Sequence, residues 1–222
     1  MKPREQPVAP VIQAVRENKG RSARLRLLAR VWPQARNRIP FATGLLLAPV
    51  FIFLHEAAHF GAARALGFKA TLQSGVTTVH YSHLPPPRAD LVVTAAGPLL
   101  QALIGGAGLL WLYRLRQTRR TEPATWRDWV ATWCALNAGR WIGSPFRTAA
   151  VPTPDEVVLL RASGLPVALG LALLAVVAAG AVVATVRLHS PGSRLLPFAS
   201  GFVGGSAGME LWLHGLGPRL LP

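Results

Sequence analysis

The sequence predicts an all-α membrane protein with about five transmembrane helices and a short β-hairpin after the first of them. Hydrophobic residues make up 51% of the 222-residue chain and charged residues only 15%, whereas soluble domains carry roughly 25% charged residues. The hydrophobic residues occur in long runs, which are typical of segments that cross a bilayer. After the first run, β-branched residues surround a glycine, and this pattern favours a hairpin.

Residues 1–40 are predicted to form a basic N-terminal tail ahead of a polytopic membrane domain at 41–222. The tail holds ten Lys or Arg residues and two Glu residues. Two interpretations fit it equally well: an amphipathic helix on a membrane surface, or a basic tail without regular structure. Together with the net charge of +15, the tail indicates anionic lipid head groups as partners. Nucleic acid is not an expected partner, because aromatic residues are not interspersed with the basic ones.

Five apolar segments are candidates for membrane helices. They lie near residues 41–66, 91–112, 126–142, 165–188 and 195–216. The third is the least apolar, since it contains Asn137 and Arg140, and we expect one of its faces to contact protein. The predicted hairpin lies in the loop after the first segment, with Gly75 at its centre. Lys and Arg are concentrated in the tail and in the loops after the second and fourth segments. This distribution predicts a multi-pass protein of the cell membrane with a cytoplasmic N-terminus.

A metal-binding motif, HExxH at residues 55–59, lies inside the first apolar segment. Residues four apart in a helix project in similar directions, so His55 and His59 can hold one ion. Glu56 would lie close to a water molecule on that ion and could act as a general base. The fourteen residues at 41–54 place His55 roughly 20 Å along the helix. Ionisable groups at that depth are costly in a bilayer, and metal binding compensates for the cost. The motif therefore predicts an intramembrane zinc site.

The residue pattern leaves the third zinc ligand open, although a catalytic zinc site usually has three protein ligands. Asp155 and Glu156 follow Thr153 and Pro154, which is a pattern typical of a helix N-terminus. On this pattern we expect Thr153 as the N-cap, Pro154 as the first helical residue and Glu156 as the capping-box partner. Capping is thus favoured over ligation for these residues. The other candidates are Glu210 with His214 at helical spacing in the last apolar segment, and His80 and His83 in the first loop.

The sequence resembles the site-2 protease family of intramembrane zinc metalloproteases in three places. The first is the HExxH motif inside an apolar helix, where Ala58 stands in place of the Gly that many members have. The second is the segment 95–101 around Gly97 and Pro98, with Gln101 where the family often has Asn. The third is Asn137 followed later by Pro154-Asp155, since the family has an Asn- and Pro-rich stretch that leads to an Asp-Gly pair. Here Glu156 stands in place of that Gly.

The resemblance implies a set of roles for these residues. It makes Asp155 the third zinc ligand beside His55 and His59, and Glu56 the general base. It makes Asn137 a candidate for orienting the substrate or stabilising charge. In the family an extended segment follows the histidine helix and guides the substrate. The residues implied to lie along the substrate are Gly75, Gly97 and Pro98. The chain would be a minimal member, without a PDZ-like or sensor domain.

The sequence therefore predicts a membrane-embedded zinc endopeptidase that cleaves a membrane-spanning or membrane-proximal protein. Two alternatives come from other classes: a membrane zinc-binding protein that senses or scaffolds without turnover, and a small transporter of metal ions or protons. In a transporter, Glu210 would matter more than Asp155. The family resemblance and the distribution of basic residues disagree about which membrane face the site opens toward. In the family it opens toward the cytoplasm, whereas the distribution of basic residues puts His55 nearer the other face.

Overall fold

The computed structural model describes residues 35–80, 87–119, 122–137, 154–190 and 195–221. This part of the chain is mostly helical, with one two-stranded hairpin, as the sequence predicts. The elements are α1 (Ala35–Ala65), β1 (Lys69–Leu72), β2 (Thr77–His80), α2 (Pro87–Gln117), α3 (Trp126–Leu136), α4 (Asp155–Ala162), α5 (Val167–Leu188) and α6 (Leu195–Leu211). A π-helical turn at Trp212–Leu216 and a short helix, α7 (Gly217–Leu220), follow α6. Most of the predicted basic tail, residues 1–34, lies outside the described residues.

Among the residues that the structure describes, three helices are long and apolar enough to cross a membrane, which indicates a membrane protein. They are Asn37–Ala65 of α1, Arg88–Gln117 of α2 and Val167–Leu188, which is α5. The predicted spans at 126–142 and 195–216 are not confirmed. Within the described residues, α3 has only 11 residues, which cover about 17 Å of a hydrocarbon core roughly 30 Å thick. Helix α6 has 17 residues and continues through the π-helical turn and α7 to Leu220, but it is not among the three candidate spans.

Helices α1 and α6 pack closely along a line of glycines. Gly204 lies against the carbonyl of Phe41 and Gly208 against the carbonyl of Leu45, so closely that a Cβ at either glycine would overlap the α1 backbone. Because these contacts advance in the same direction along both helices, α1 and α6 run parallel. Small residues allow membrane helices to approach in this way. The packing explains why the fifth apolar segment is rich in glycine.

The hairpin is anchored at two points beside the histidine motif. Its strands are antiparallel, and Leu72 pairs with Thr77 next to the turn. The Thr77 hydroxyl donates a hydrogen bond of 2.7 Å to the backbone carbonyl of Glu56 in α1. At the turn, the indole Nε1 of Trp212 donates to the Ser74 carbonyl at 2.5 Å. These contacts fix the hairpin over the half of α1 that carries the motif.

A buried arginine joins three helices at the other end of the bundle. Arg116 is only 1% exposed, and its Nε donates to the carbonyl of Leu188 at 3.2 Å. Its Nη2 donates to the carbonyl of Glu122 at 3.0 Å, and Nη1 lies 4.0 Å from Oδ1 of buried Asp128. The C-terminal ends of α2 and α5 therefore meet at one face of the bundle, away from the hairpin.

Candidate metal centre

His55 and His59 lie one turn apart on the buried side of α1. Their exposed fractions are 5% and 8%. The two rings are perpendicular, with centroids 4.7 Å apart, and their Nε2 atoms are 3.2 Å apart. Both imidazoles thus direct Nε2 to the same point, which is the geometry that the four-residue spacing predicts.

Asp155 completes the cluster from the first turn of α4. Its Oδ2 lies 3.1 Å from Nε2 of His55 and 3.3 Å from Nε2 of His59. The three candidate ligand atoms all lie within 4.8 Å of one another. Burial alone would raise the pKa of Asp155, but hydrogen bonding with His55 and His59 outweighs it and holds the pKa well below its usual range. The aspartate is therefore charged and available as an anionic ligand.

The start of α4 differs from the helix cap that the residue pattern predicts. Pro154 is the N-cap, with extended backbone (φ −66°, ψ 149°), and Asp155 is the first helical residue. The prediction that Pro154 begins the helix is thus wrong by one residue. Glu156 consequently occupies the second helical position rather than the third, where a capping-box partner would lie. No side chain caps this helix among the described residues, and Thr153 lies outside them.

Helix α2 packs against the histidine pair. Nδ1 of His59 lies 2.7 Å from the backbone carbonyl of Val93. Because a carbonyl only accepts, Nδ1 donates to Val93, and Nε2 is the nitrogen that a metal would bind in place of its contact with Asp155. Gly97, one turn further along α2, packs directly against both imidazoles, and a Cβ at this position would collide with them. Two imidazole nitrogens and one carboxylate oxygen form a donor set that a divalent metal accepts, so the residues fit a metal ion.

An open cleft of about 320 Å³ adjoins the cluster and is lined by two of its three candidate ligands, His59 and Asp155. Its walls come from α1, the hairpin, α2 and α4. The lining residues are Glu56, His59, Val76, Thr77, Val79, Asp90, Val93, Thr94 and Asp155. Glu56, the predicted general base, therefore shares one cavity with two of the candidate ligands. The cleft is large enough for a short segment of another chain to reach the cluster.

The other predicted site residues lie in different surroundings. Gly75 is in the hairpin turn, where a Cβ would lie 2.8 Å from the side chain of Leu213. Gly97 and Pro98 are buried in α2. Asn137 caps the C-terminus of α3, and its side-chain Nδ2 is buried. None of these four lines the cleft as the described residues define it, and their roles toward a substrate stay predictions.

The alternative third ligands do not meet the histidines within the described residues. Glu156 is buried but is not part of the cluster. Glu210 and His214 pair with each other at 3.6 Å, and both side chains are about three quarters exposed, at 77% and 74%. Nε2 of His80 lies 3.1 Å from the hydroxyl of Thr71. His83 lies outside the described residues.

For several residues of the site, the sequence gives no indication that they belong to it. The Val93 contact uses a backbone carbonyl, which any residue type would offer. Asp90 and Thr94 enter the cleft only because α2 packs against α1. Thr77 belongs to the predicted hairpin, but its bond to the Glu56 carbonyl depends on how the hairpin folds back onto α1. Because these contacts are tertiary, local sequence patterns do not predict them.

Comparison with known proteins gives no match: no family model fits the chain, and no curated protein or solved structure is similar to it.

Proposed function

We propose that the protein is a membrane-embedded zinc endopeptidase that hydrolyses a peptide bond in a membrane-spanning or membrane-proximal protein. The observation that carries the proposal is the convergence of His55, His59 and Asp155 beside a cleft that also contains Glu56. Two histidines and one carboxylate suit a catalytic zinc site that keeps a coordination position open. The resemblance of the HExxH, Gly-Pro and Pro-Asp segments to the site-2 protease family supports the same assignment.

The mechanism assigns a separate task to each residue. His55, His59 and Asp155 would hold the zinc ion, which when bound lowers the pKa of a water molecule and polarises the substrate carbonyl. The carboxylate of Glu56 accepts a proton from the attacking water molecule and then delivers that proton to the departing amine nitrogen. The Val93 carbonyl keeps the ring of His59 oriented through Nδ1. Asn137 remains a candidate for orienting the substrate.

The substrate enters between the hairpin and α2 in this proposal. Val76, Thr77 and Val79 form one wall of the cleft, and residues of α2 form the other. In the described part of the chain, β2 pairs with β1 alone. An extended peptide can therefore add to the other edge of β2 through backbone hydrogen bonds. A helical substrate would have to unwind locally before its backbone could reach the ligands.

The transporter alternative has less support. Ionisable residues of an ion pathway are expected to face the interior or a water-filled cavity. Glu210 and His214 instead have exposed side chains and are not among the residues that line the cleft. A zinc protein without turnover would share the same ligands, so only an activity measurement separates it from the protease.

The test is proteolysis by the full chain in liposomes, with a mixture of fluorescently labelled single-span peptides as the probe. Wild-type protein loaded with zinc should cleave at least one peptide, and Glu56→Gln should bind zinc equally but lose about 10²-fold or more in rate. Glu210→Gln is the matched control and should retain activity. Full proteolysis by Glu56→Gln would refute the mechanism. Zinc binding without cleavage of any peptide by the wild type would favour the non-catalytic alternative.

A further inference from the structure

An apolar groove lies between α2 and α5, away from the metal centre. Its volume is about 400 Å³, and its lining residues are Gly106, Leu109, Leu110, Tyr113, Ala184 and Leu188. Gly106 forms part of its floor, and a Cβ there would meet no other atom within 4 Å. Both helices are candidate membrane spans. If the two helices cross the membrane, the groove is a recess on a surface that faces acyl chains.

The groove runs along the two helices. Gly106 and Tyr113 are seven residues apart, so the recess extends roughly 10 Å along α2, about a third of the hydrocarbon core. Tyr113 and Leu188 lie at the end nearest the helix C-termini. Tyrosine is typical of the membrane interface. This end thus lies at the level of the head groups, and Gly106 lies deeper in the bilayer.

The two helices that form the groove both carry arginine in their last turns. The last turn of α2 contains Arg114 and the last turn of α5 contains Arg187. Arg116 is buried behind Leu188, whose carbonyl it contacts. An arginine near the membrane surface attracts anionic lipid, and its guanidinium can bind a phosphate through two hydrogen bonds. An apolar recess between two helices whose last turns carry arginine matches the shape and charge of one lipid class.

We propose that this groove is a specific site for an anionic phospholipid. One acyl chain fills the recess between Leu110 of α2 and Ala184 of α5. The phosphate lies beside Arg114 and Arg187, and the lipid bridges two helices that also pack against each other through Ala102 and Ala178. A zwitterionic lipid offers the same acyl chain but no net negative charge, so the site prefers the anionic lipid.

The experiment is native mass spectrometry of the full chain from nanodiscs that contain phosphatidylglycerol and phosphatidylcholine in equal amounts. Wild type should retain one phosphatidylglycerol preferentially. Gly106→Leu fills the recess and should lose that lipid, whereas Gly180→Leu is the matched control. Gly180 is another helical glycine on a candidate span with open space at its Cβ position, but it does not line the groove. Arg114→Gln should lower the preference for the anionic lipid by about fivefold while leaving the groove intact.

Three results would overturn the inference. One is equal retention of both lipids by the wild type. Another is unchanged phosphatidylglycerol in Gly106→Leu when the circular dichroism spectrum matches that of wild type. The last is a co-purifying peptide, rather than lipid, that Gly106→Leu displaces, because the groove would then be a protein-docking surface. If Gly106→Leu does not fold, Arg114→Gln decides the question, and an unchanged lipid preference in that variant refutes the site.

Discussion

Replacement of Gly97 by alanine tests the geometry of the candidate metal centre without removing any ligand. A Cβ at Gly97 would lie 2.5 Å from Cε1 and 2.6 Å from Nδ1 of His55, and closer still to Nε2 of His59. Carbon atoms in ordinary contact are about 3.5–4.0 Å apart. The imidazoles, α2, or both must therefore shift by about 1 Å. Because zinc ligands tolerate deviations of only about 0.2 Å, even a small part of this shift, if the imidazoles take it up, moves the histidines out of their binding geometry.

We expect Gly97→Ala to weaken zinc binding by about 10–100-fold, the range seen when the surroundings of metal ligands are altered. Overpacking should also lower the free energy of unfolding by about 1–3 kcal/mol. The assay is competition for zinc against a chromophoric chelator in detergent micelles. Gly106→Ala is the matched control, because the same substitution on the same helix meets no atom within 4 Å. Wild-type zinc affinity in Gly97→Ala would refute the inferred packing of α2 against the histidines.

Three further predictions concern the ligand, the hairpin and the helix packing. Asp155→Asn replaces the charged ligand with a neutral amide and should reduce zinc affinity by at least about tenfold in the chelator assay; unchanged affinity would exclude Asp155 as a ligand. Thr77→Val removes the hydrogen bond to the Glu56 carbonyl. It should lower peptide cleavage but not zinc content, with about 1 kcal/mol lost in stability, and a cleavage rate equal to wild type would contradict the anchoring role of the hairpin. Gly208→Val forces α6 away from α1 and should lower the thermal unfolding temperature, whereas Gly180→Val should not; equal unfolding temperatures would contradict the close packing.

The sequence predicts the histidine pair well because its geometry is local. Four residues in a helix fix the relative directions of His55 and His59, whatever the rest of the chain does. Asp155 is different, since it lies 100 residues from His55 and reaches the pair only through tertiary packing. The pattern around it indicates a helix N-terminus, which is correct to within one residue. The same pattern does not reveal that this helix end points at α1.

Two of the five predicted membrane spans are not confirmed, and the reason is physical. Hydropathy shows where apolar residues accumulate, but not whether a helix continues through all of them. The segment at 126–142 begins a helix where expected, and that helix is described only to Leu136. In the last segment, a π-helical turn at Trp212–Leu216 follows the α-helix, and a short α-helix continues to Leu220. The predicted hairpin is confirmed. It could be predicted because β-branched residues around a glycine specify a hairpin locally.

The most direct test of the central claim is the metal content of purified protein, determined by elemental analysis for wild type, His59→Ala and Asp155→Ala. The proposed centre predicts close to one zinc per wild-type chain and loss of most of that zinc in both variants. Glu56→Gln should retain the wild-type amount, because Glu56 lines the cleft but is not one of the three clustered ligands. Equal zinc in wild type, His59→Ala and Asp155→Ala would contradict the site.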